Sequence, residues 1–372
     1  MFSLYCRPLS EAVKWVLGQL SHISRFEFSQ ITKDLVGIDS RLVELESCLA
    51  LKDDIRFIGI WAMGGMGKST LARVVYKMIS KEFEASCFIE NVRGRDELSL
   101  QEDLISQILH EKVFIKNKYD AGNMIKKIVW NRKVFIVFDD VDELEKLEML
   151  VRKSDRFGLG SRIIITTRDK RLLLDFLVDE IFEVKALDKE DALCLLCSKA
   201  FKKEQCPDEY LELSKSILEY VNGLPLALEV FGSFLFEKST AAWEDALEML
   251  KEDPDSKINQ VLKISLGGLP NPVKEIFKDI ACFFNHEGKD YVVGMLDCIG
   301  RHYKIGLPIL INKSLLKISE DNVLWMHDLV RDMGRNIVYE ESRDEPGKRS
   351  RLWHYKDIDR VMKNNTVRIL FT

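Results

Sequence analysis

The ten residues 61–70, WAMGGMGKST, constrain this chain more than any other stretch. Gly64, Gly65 and Gly67 stand where a backbone must curl tightly, and Lys68, Ser69 and Thr70 follow them, which nearly fits the pattern G-x-x-x-x-G-K-[ST]. Such a run works when a strand enters it and a helix leaves it, because successive backbone N–H groups and the helix N-terminus then surround an anion. Both conditions are legible: FIGIWAM reads as a buried strand and KSTLARVVYKMIS as an amphipathic helix. Gly64, Gly65, Met66 and Gly67 are thus expected to offer backbone donors to a nucleotide. Lys68 is expected at the β- and γ-phosphates, the Ser69 hydroxyl at Mg²⁺ and Thr70 at the α-phosphate. Ala62 replaces the pattern's first glycine, a mild departure if its φ is negative.

Two further strand ends bear on the same chemistry. A magnesium-bound phosphate needs a carboxylate on a neighbouring strand, and KVFIVFDD ends in Asp139 and Asp140, expected exposed, the first holding Mg²⁺ through water and the second positioning an attacking water. Read alone, the two acids could equally end a strand and cap the next helix. SRIIITTR ends in Arg168, a charged fork suited to a γ-phosphate, or else an ion-pair partner of Asp169.

Between residues 55 and 184 five runs, IRFIGIWAM, CFIENV, KVFIVFDD, RIIITTR and IFEV, alternate with helical patterns. Continuous Ile/Val/Phe suits strands covered on both faces, so the fold class is α/β with a P-loop parallel sheet. After about residue 186 the pattern turns helical. GGLPNP at 267–272 then punctuates a third block of helices closed by the hairpin-like LLKISEDNVLWM and the helix DLVRDMGRNIVYEE, which reads as a winged helix. The expected domains are a linker 1–33, a nucleotide-binding domain 34–186, a helical domain 187–254, a winged-helix domain 255–345 and a linker 346–372.

A net charge of −5, from 55 basic and 60 acidic residues without long blocks, gives no footprint for nucleic acid. No stretch reaches the apolar length of a membrane span, which leads to the expectation of a cytoplasmic or nucleocytoplasmic protein. Cys194 and Cys197 form a Cys-x-x-Cys inside a helical apolar pattern with no second ligand pair nearby, and are expected to pack in the core.

The ordered series DLVGIDSRLVEL, GIWAMGGMGKSTLA, FEASCFIENVRG, VFDDVDELEKLEML, GSRIIITTRD, GLPLALEVFG, FKDIACFF and LWMHDLVRDMG resembles the NB-ARC module of plant TIR-NB-LRR disease-resistance proteins, a branch of the STAND P-loop NTPases. Val141 and Asp142 after the paired acids, with FIENVRG and DIACFF, resemble the TIR branch. The match runs over about residues 34–345, with no TIR domain expected before it and no leucine-rich repeats after it. The resemblance implies an ADP/ATP-binding switch in defence signalling, at most a slow ATPase, with other receptor chains or a second copy as partners. It further implies that Val36 and Gly37 contact the adenine, that Pro225 packs on the base, that Arg168 senses the phosphates and that His327 reaches the ADP β-phosphate. From the residues themselves Pro225 is equally the first residue of a helix, and His327 equally a packing residue. Two other functions stay open: an ATP-hydrolysing remodelling enzyme, and a DNA-binding winged-helix regulator. The candidate recognition helix, IGLPILINKSL, offers a groove only Asn312 and Lys313.

Overall fold

The computed structural model describes residues 30–32, 35–49, 54–152, 157–203, 206–251, 266–267, 269–319 and 321–364. Most of segment 1–33, the start of 255–345 and residues 365–372 therefore lie outside the described residues. The chain divides into two compact units, Met1–Ala186 and Leu187–Thr372.

The first unit runs α1 (Ile38–Leu49), β1 (Arg56–Trp61), α2 (Lys68–Ile79), β2 (Ala85–Ile89), α3 (Glu97–Leu109), α4 (Lys118–Val129), β3 (Val134–Val141), α5 (Leu144–Leu150), β4 (Arg162–Thr167), α6 (Lys170–Asp175) and β5 (Glu180–Glu183). The five β-rich runs of the sequence are these five strands, all parallel, in the order β2-β3-β4-β1-β5. Ile163, Ile164 and Ile165 are all fully buried although they alternate between faces, as a sheet covered on both sides requires. Two of the helices begin on polar side chains: Asp96 accepts from the Ser99 N–H before α3, and Asn117 from the N–H groups of Tyr119 and Asp120 before α4. The sheet order sets β4 between β1 and β3 and so brings the glycine-rich loop after β1, the paired acids and Arg168 to one edge.

The second unit runs α7 (Lys189–Phe201), α8 (Leu211–Val221), α9 (Pro225–Leu235), α10 (Thr240–Lys251), α11 (Asn271–Asp279), a π-helical turn Ile280–Phe284, α12 (Lys289–Cys298), α13 (Tyr303–Asn312), β6 (Lys317–Ile318), β7 (Leu324–Trp325), α14 (Asp328–Glu340) and α15 (Tyr355–Lys363). Gly232 lets α9 lie directly against α7, since a Cβ there would sit 2.8 Å from the Leu196 carbonyl oxygen. Trp243, fully buried, stacks on Phe201 at 5.4 Å and meets Tyr210 at 5.0 Å. Leu226 and Val230 of α9 share a core with Ile276, Phe277, Leu310 and Met333, so the helical and winged parts are packed together. β6 and β7 are antiparallel, and residues 286–289 extend this wing through His286 N–H to Leu324 O and Lys289 N–H to Asn322 O, each 2.9 Å.

Residues 346–364, expected as a linker, are folded where described. Arg351 is buried, donating from Nε to Asp279 at 2.6 Å and from a terminal nitrogen to Glu275 at 2.8 Å. Arg301 reaches the other Asp279 oxygen at 2.8 Å. Arg349 donates to the carbonyls of Ser342 and Arg343 and to the Asp357 carboxylate. Isolated arginines in a sequence give no sign of such burial, which depends on two acids on α11.

Candidate functional site

The loop between β1 and α2 curls as its glycines require. Gly65 and Gly67 have φ of +83° and +89°, conformations that side chains resist, and Gly67 is the residue before α2. No side chain caps α2, so the N–H groups of its first turn are left for another acceptor. Ala62 is buried, its φ lies outside the left-handed region, and its carbonyl accepts from Lys68 Nζ at 2.8 Å, so the missing glycine costs the loop nothing. Lys68 Nζ also donates to Met63 O at 3.0 Å. Burial of the ammonium, with a contribution from the Arg168 charge, lowers its pKa to about 8.

The acids of β3 differ from expectation. Asp139, expected exposed, is 7% exposed, and Asp140 is partly buried, because β3 continues through Val141. The β3/β4 register shifts between Phe138 and Val141, and Asp140 sits at φ +53°. The Thr166 hydroxyl on β4 joins the two acids: it donates to Asp139 Oδ1 at 2.6 Å and accepts the Asp140 N–H at 2.9 Å. Burial raises the Asp139 pKa, while hydrogen bonds from Thr166 and Ser69 oppose the rise. Asp139 and Ser69, the pair expected at Mg²⁺, are therefore already in contact. The Asp140 carboxylate lies between two guanidinium groups, Arg168 Nε at 3.3 Å and Arg93 Nε at 3.4 Å. Arg168 is thus paired with Asp140, whereas Asp169 caps α6 through the Arg171 N–H.

Other expected residues occupy defined positions. Val36 and Gly37, the latter at φ +70°, form the turn before α1. From α1 the Arg41 guanidinium donates to Lys185 O at 3.0 Å, and another of its nitrogens lies 3.0 Å from where a Gly67 Cβ would stand. In the second unit Pro225 is the first residue of α9. His327 is the residue before α14, its Nδ1 accepting the Leu329 N–H at 3.1 Å, so the histidine caps this helix. Asn285 clamps the preceding residue, accepting from Met326 N–H at 2.6 Å and donating to Met326 O at 3.2 Å. Lys313 donates to Ser233 O, which turns one of the two polar side chains of the candidate recognition helix inward.

Thr166, Arg93, Arg41 and Asn285 were not singled out from sequence. Thr166 reads there as a β-former and Arg93 as a loop charge; only the neighbouring positions of β3 and β4 give them partners. Among the described residues no group of His, Cys, Asp or Glu is arranged to hold a metal by itself, and no helix is long and apolar enough to cross a membrane. The donor set nevertheless fits a magnesium nucleotide: positive-φ glycines, an uncapped helix start, a buried lysine, and a serine touching a desolvated carboxylate.

Residues 38–206 match the NB-ARC domain family, and residues 271–342 match the winged-helix domain of Roq1-like disease-resistance proteins. TMV resistance protein N of Nicotiana glutinosa is 41% identical over 372 residues, covering 96% of this chain and 32% of the relative. Disease resistance protein RUN1 of Vitis rotundifolia is 40% identical, covering 88% and 25%, and RPP4 of Arabidopsis thaliana 36%, covering 90% and 29%. The chain thus spans about a third or less of the length of these relatives. A STAND protein with a tetratricopeptide repeat sensor from Pyrococcus horikoshii superposes with a TM-score of 0.53 at 17% identity, covering 86% of this chain and 44% of that one, a likeness of fold alone.

Proposed function

Since the chain carries an NB-ARC domain followed by a Roq1-like winged-helix domain of the plant disease-resistance type, we propose that it is the nucleotide-operated switch of an immune receptor, holding ADP in one arrangement and ATP in another. The observation that supports this most is the meeting of Lys68, Ser69, Asp139, Thr166, Asp140 and Arg168 at one sheet edge. Bound Mg²⁺ would neutralise phosphate charge, with Ser69 and Asp139 holding it. The N–H groups from Gly64 to Gly67 and the start of α2 orient the phosphates, Lys68 moves from loop carbonyls to phosphate oxygen, and Arg168 exchanges Asp140 for the terminal phosphate. Val36, Gly37 and Pro225 are assigned to the adenine, and His327 to the ADP β-phosphate. With Nδ1 accepting from Leu329, the neutral imidazole carries its proton on Nε2, the nitrogen suited to a phosphate oxygen.

In a switch, turnover should be slow. Asp140 is the group that could orient water, and the Arg93 guanidinium beside it still neutralises it once Arg168 has turned to the phosphate. The test is native mass spectrometry of the purified chain. Bound ADP near one-to-one is expected, with binding abolished in Lys68→Ala through loss of about 2–5 kcal/mol and little changed in Ala62→Gly. Nucleotide-free protein that also fails to bind added ADP would exclude the switch. Phosphate release above about 1 per second would favour the ATP-hydrolysing remodelling enzyme instead.

A further inference from the structure

Beside the phosphate loop lies a charged residue that the nucleotide roles do not absorb. β2 pairs with β3 in parallel as far as Ile89 and Phe138, so the segment leaving β2 comes alongside the paired acids. Asn91, at φ +49°, opens a 3₁₀ turn over Val92–Gly94, and the fully buried Val92 pins that turn to the core of the first unit. The Lys146 ammonium on α5 donates to Arg93 O at 3.2 Å and fixes the turn from a second element. Arg93 is thereby held with its Nε 3.4 Å from an Asp140 oxygen and 3.7 Å from an Asp142 oxygen. Neither contact is a hydrogen bond, and the buried Nε makes no other. Arg95, two residues on, is by contrast committed to Asp103 at 2.7 Å. A guanidinium nearly equidistant from two carboxylates can pass from one to the other by rotating its own side chain, keeping a counter-charge throughout.

We propose that Arg93 is a positioning residue with two stations, Asp140 and Asp142, and that the station it occupies sets how fast bound ATP is hydrolysed. The inference rests on the nucleotide-switch reading above and names the control point of that site. In hydrolysis a water oxygen bonds to the γ-phosphorus, the bond to the ADP oxygen breaks, and the water gives a proton to Asp140, leaving ADP and phosphate. A carboxylate held by a guanidinium is a poor acceptor for that proton. When Arg168 leaves Asp140 for the terminal phosphate, Arg93 remains on Asp140 and hydrolysis stays slow. Moving Arg93 to Asp142 frees Asp140 to meet the water without leaving the guanidinium unpaired. Lys146, 3.9 Å from the Asp142 carboxylate and bonded to the Arg93 backbone, ties this choice to the first turn of α5. The turn Val92–Gly94 and the start of α5 are therefore where the rate is governed, one strand away from the phosphate loop's own neighbour.

Single-turnover hydrolysis of γ-labelled ATP by the intact chain with Mg²⁺ tests this, with calorimetric ADP affinity as the check that each variant is folded. Arg93→Gln removes the charge and should raise the maximal rate about tenfold or more, within the roughly 10²–10⁴-fold that a positioned base supplies, while the half-saturating ATP concentration and the ADP Kd stay within about twofold. Arg93→Lys keeps a cation at the turn and should return the rate toward wild type. Asp142→Asn removes the second station and should slow hydrolysis below wild type, a change opposite in sign to that of Arg93→Gln. General loosening of the fold would not move the two in opposite directions. Adding Asp140→Asn to Arg93→Gln should cancel the gain. An Arg93→Gln chain that binds ADP normally yet hydrolyses ATP no faster overturns this inference and leaves the switch standing; so does a gain that survives Asp140→Asn, or an Asp142→Asn chain faster than wild type. A wild-type chain that binds neither ADP nor ATP overturns both.

Discussion

Lys68 Nζ lies against the carbonyls of Ala62 and Met63, and burial holds its pKa at about 8. A phosphate beside it favours the charged form, so affinity for ADP should be level below pH 8 and fall above it by up to about tenfold per pH unit. The stability of the nucleotide-free protein should respond in the opposite sense. Between the folded value near 8 and the unfolded value of about 10.4 the unfolded chain still holds the proton, so this lysine's contribution to stability rises with pH. Calorimetric titration with ADP from pH 6.5 to 9.5 checks the first trend, and a flat profile would place the phosphates away from Lys68. Asp139 makes a second case. Its pKa is raised by burial, so its charged form is a burden on the fold that a bound cation would offset. Asp139→Asn should therefore unfold at the same or a higher temperature than wild type without metal, yet lose the extra stability that Mg²⁺ with ADP confers. A variant that keeps the full Mg²⁺-dependent gain would remove Asp139 from the metal site.

Elements carry the next level of control, and here the legibility of the sequence can be judged. The loop glycines, Lys68 and the strands were legible because each rests on local chemistry: special φ values, a fixed charge and a run of buried β-formers. The irregular register of β3 against β4 was not, since no glycine or proline marks it. It arises where Asp140 turns its N–H to a threonine on the neighbouring strand, and that neighbour exists only once the strand order is set. Burial of Asp139 was misread for the same reason: paired acids look like a strand's wet end, whereas this strand runs on to Val141. The start of α14 shows a similar limit. Histidine is an uncommon cap, and its use here follows from the placement of the Met326 backbone by Asn285, forty-one residues upstream of that methionine. His327→Ala should therefore cost about 0.5–2 kcal/mol of stability with either nucleotide bound. Asp328→Val leaves that cap in place, and we expect it to raise the ATP-to-ADP preference about tenfold, equivalent to about 1.4 kcal/mol. Competition between ADP and a non-hydrolysable ATP analogue measures the ratio; an unchanged ratio in a folded variant would leave Asp328 no part in nucleotide selection.

For the molecule as a whole, charge balance reaches further along the chain than apolar packing suggests. Arg351 and Arg301 share Asp279, and Arg351 also holds Glu275, so the segment after α14 completes the polar interior of the second unit. Arg351→Ala should destabilise that unit by about 3–5 kcal/mol, because it leaves a buried carboxylate with half its partners. Thermal unfolding is the measure, and a loss below about 1 kcal/mol would mean that Arg301 or water replaces the contact. Arg351→Lys should recover only part of the loss, lacking the second donor. The likeness to winged-helix domains of resistance proteins stops at residue 342, ahead of both buried arginines. A polypeptide cut at that point would keep every helix and strand of the recognised domain, yet carry Asp279 short of a counter-charge. The border drawn by ancestry and the border drawn by electroneutrality therefore fall at different residues, and only a cut beyond the second leaves a piece able to stand alone.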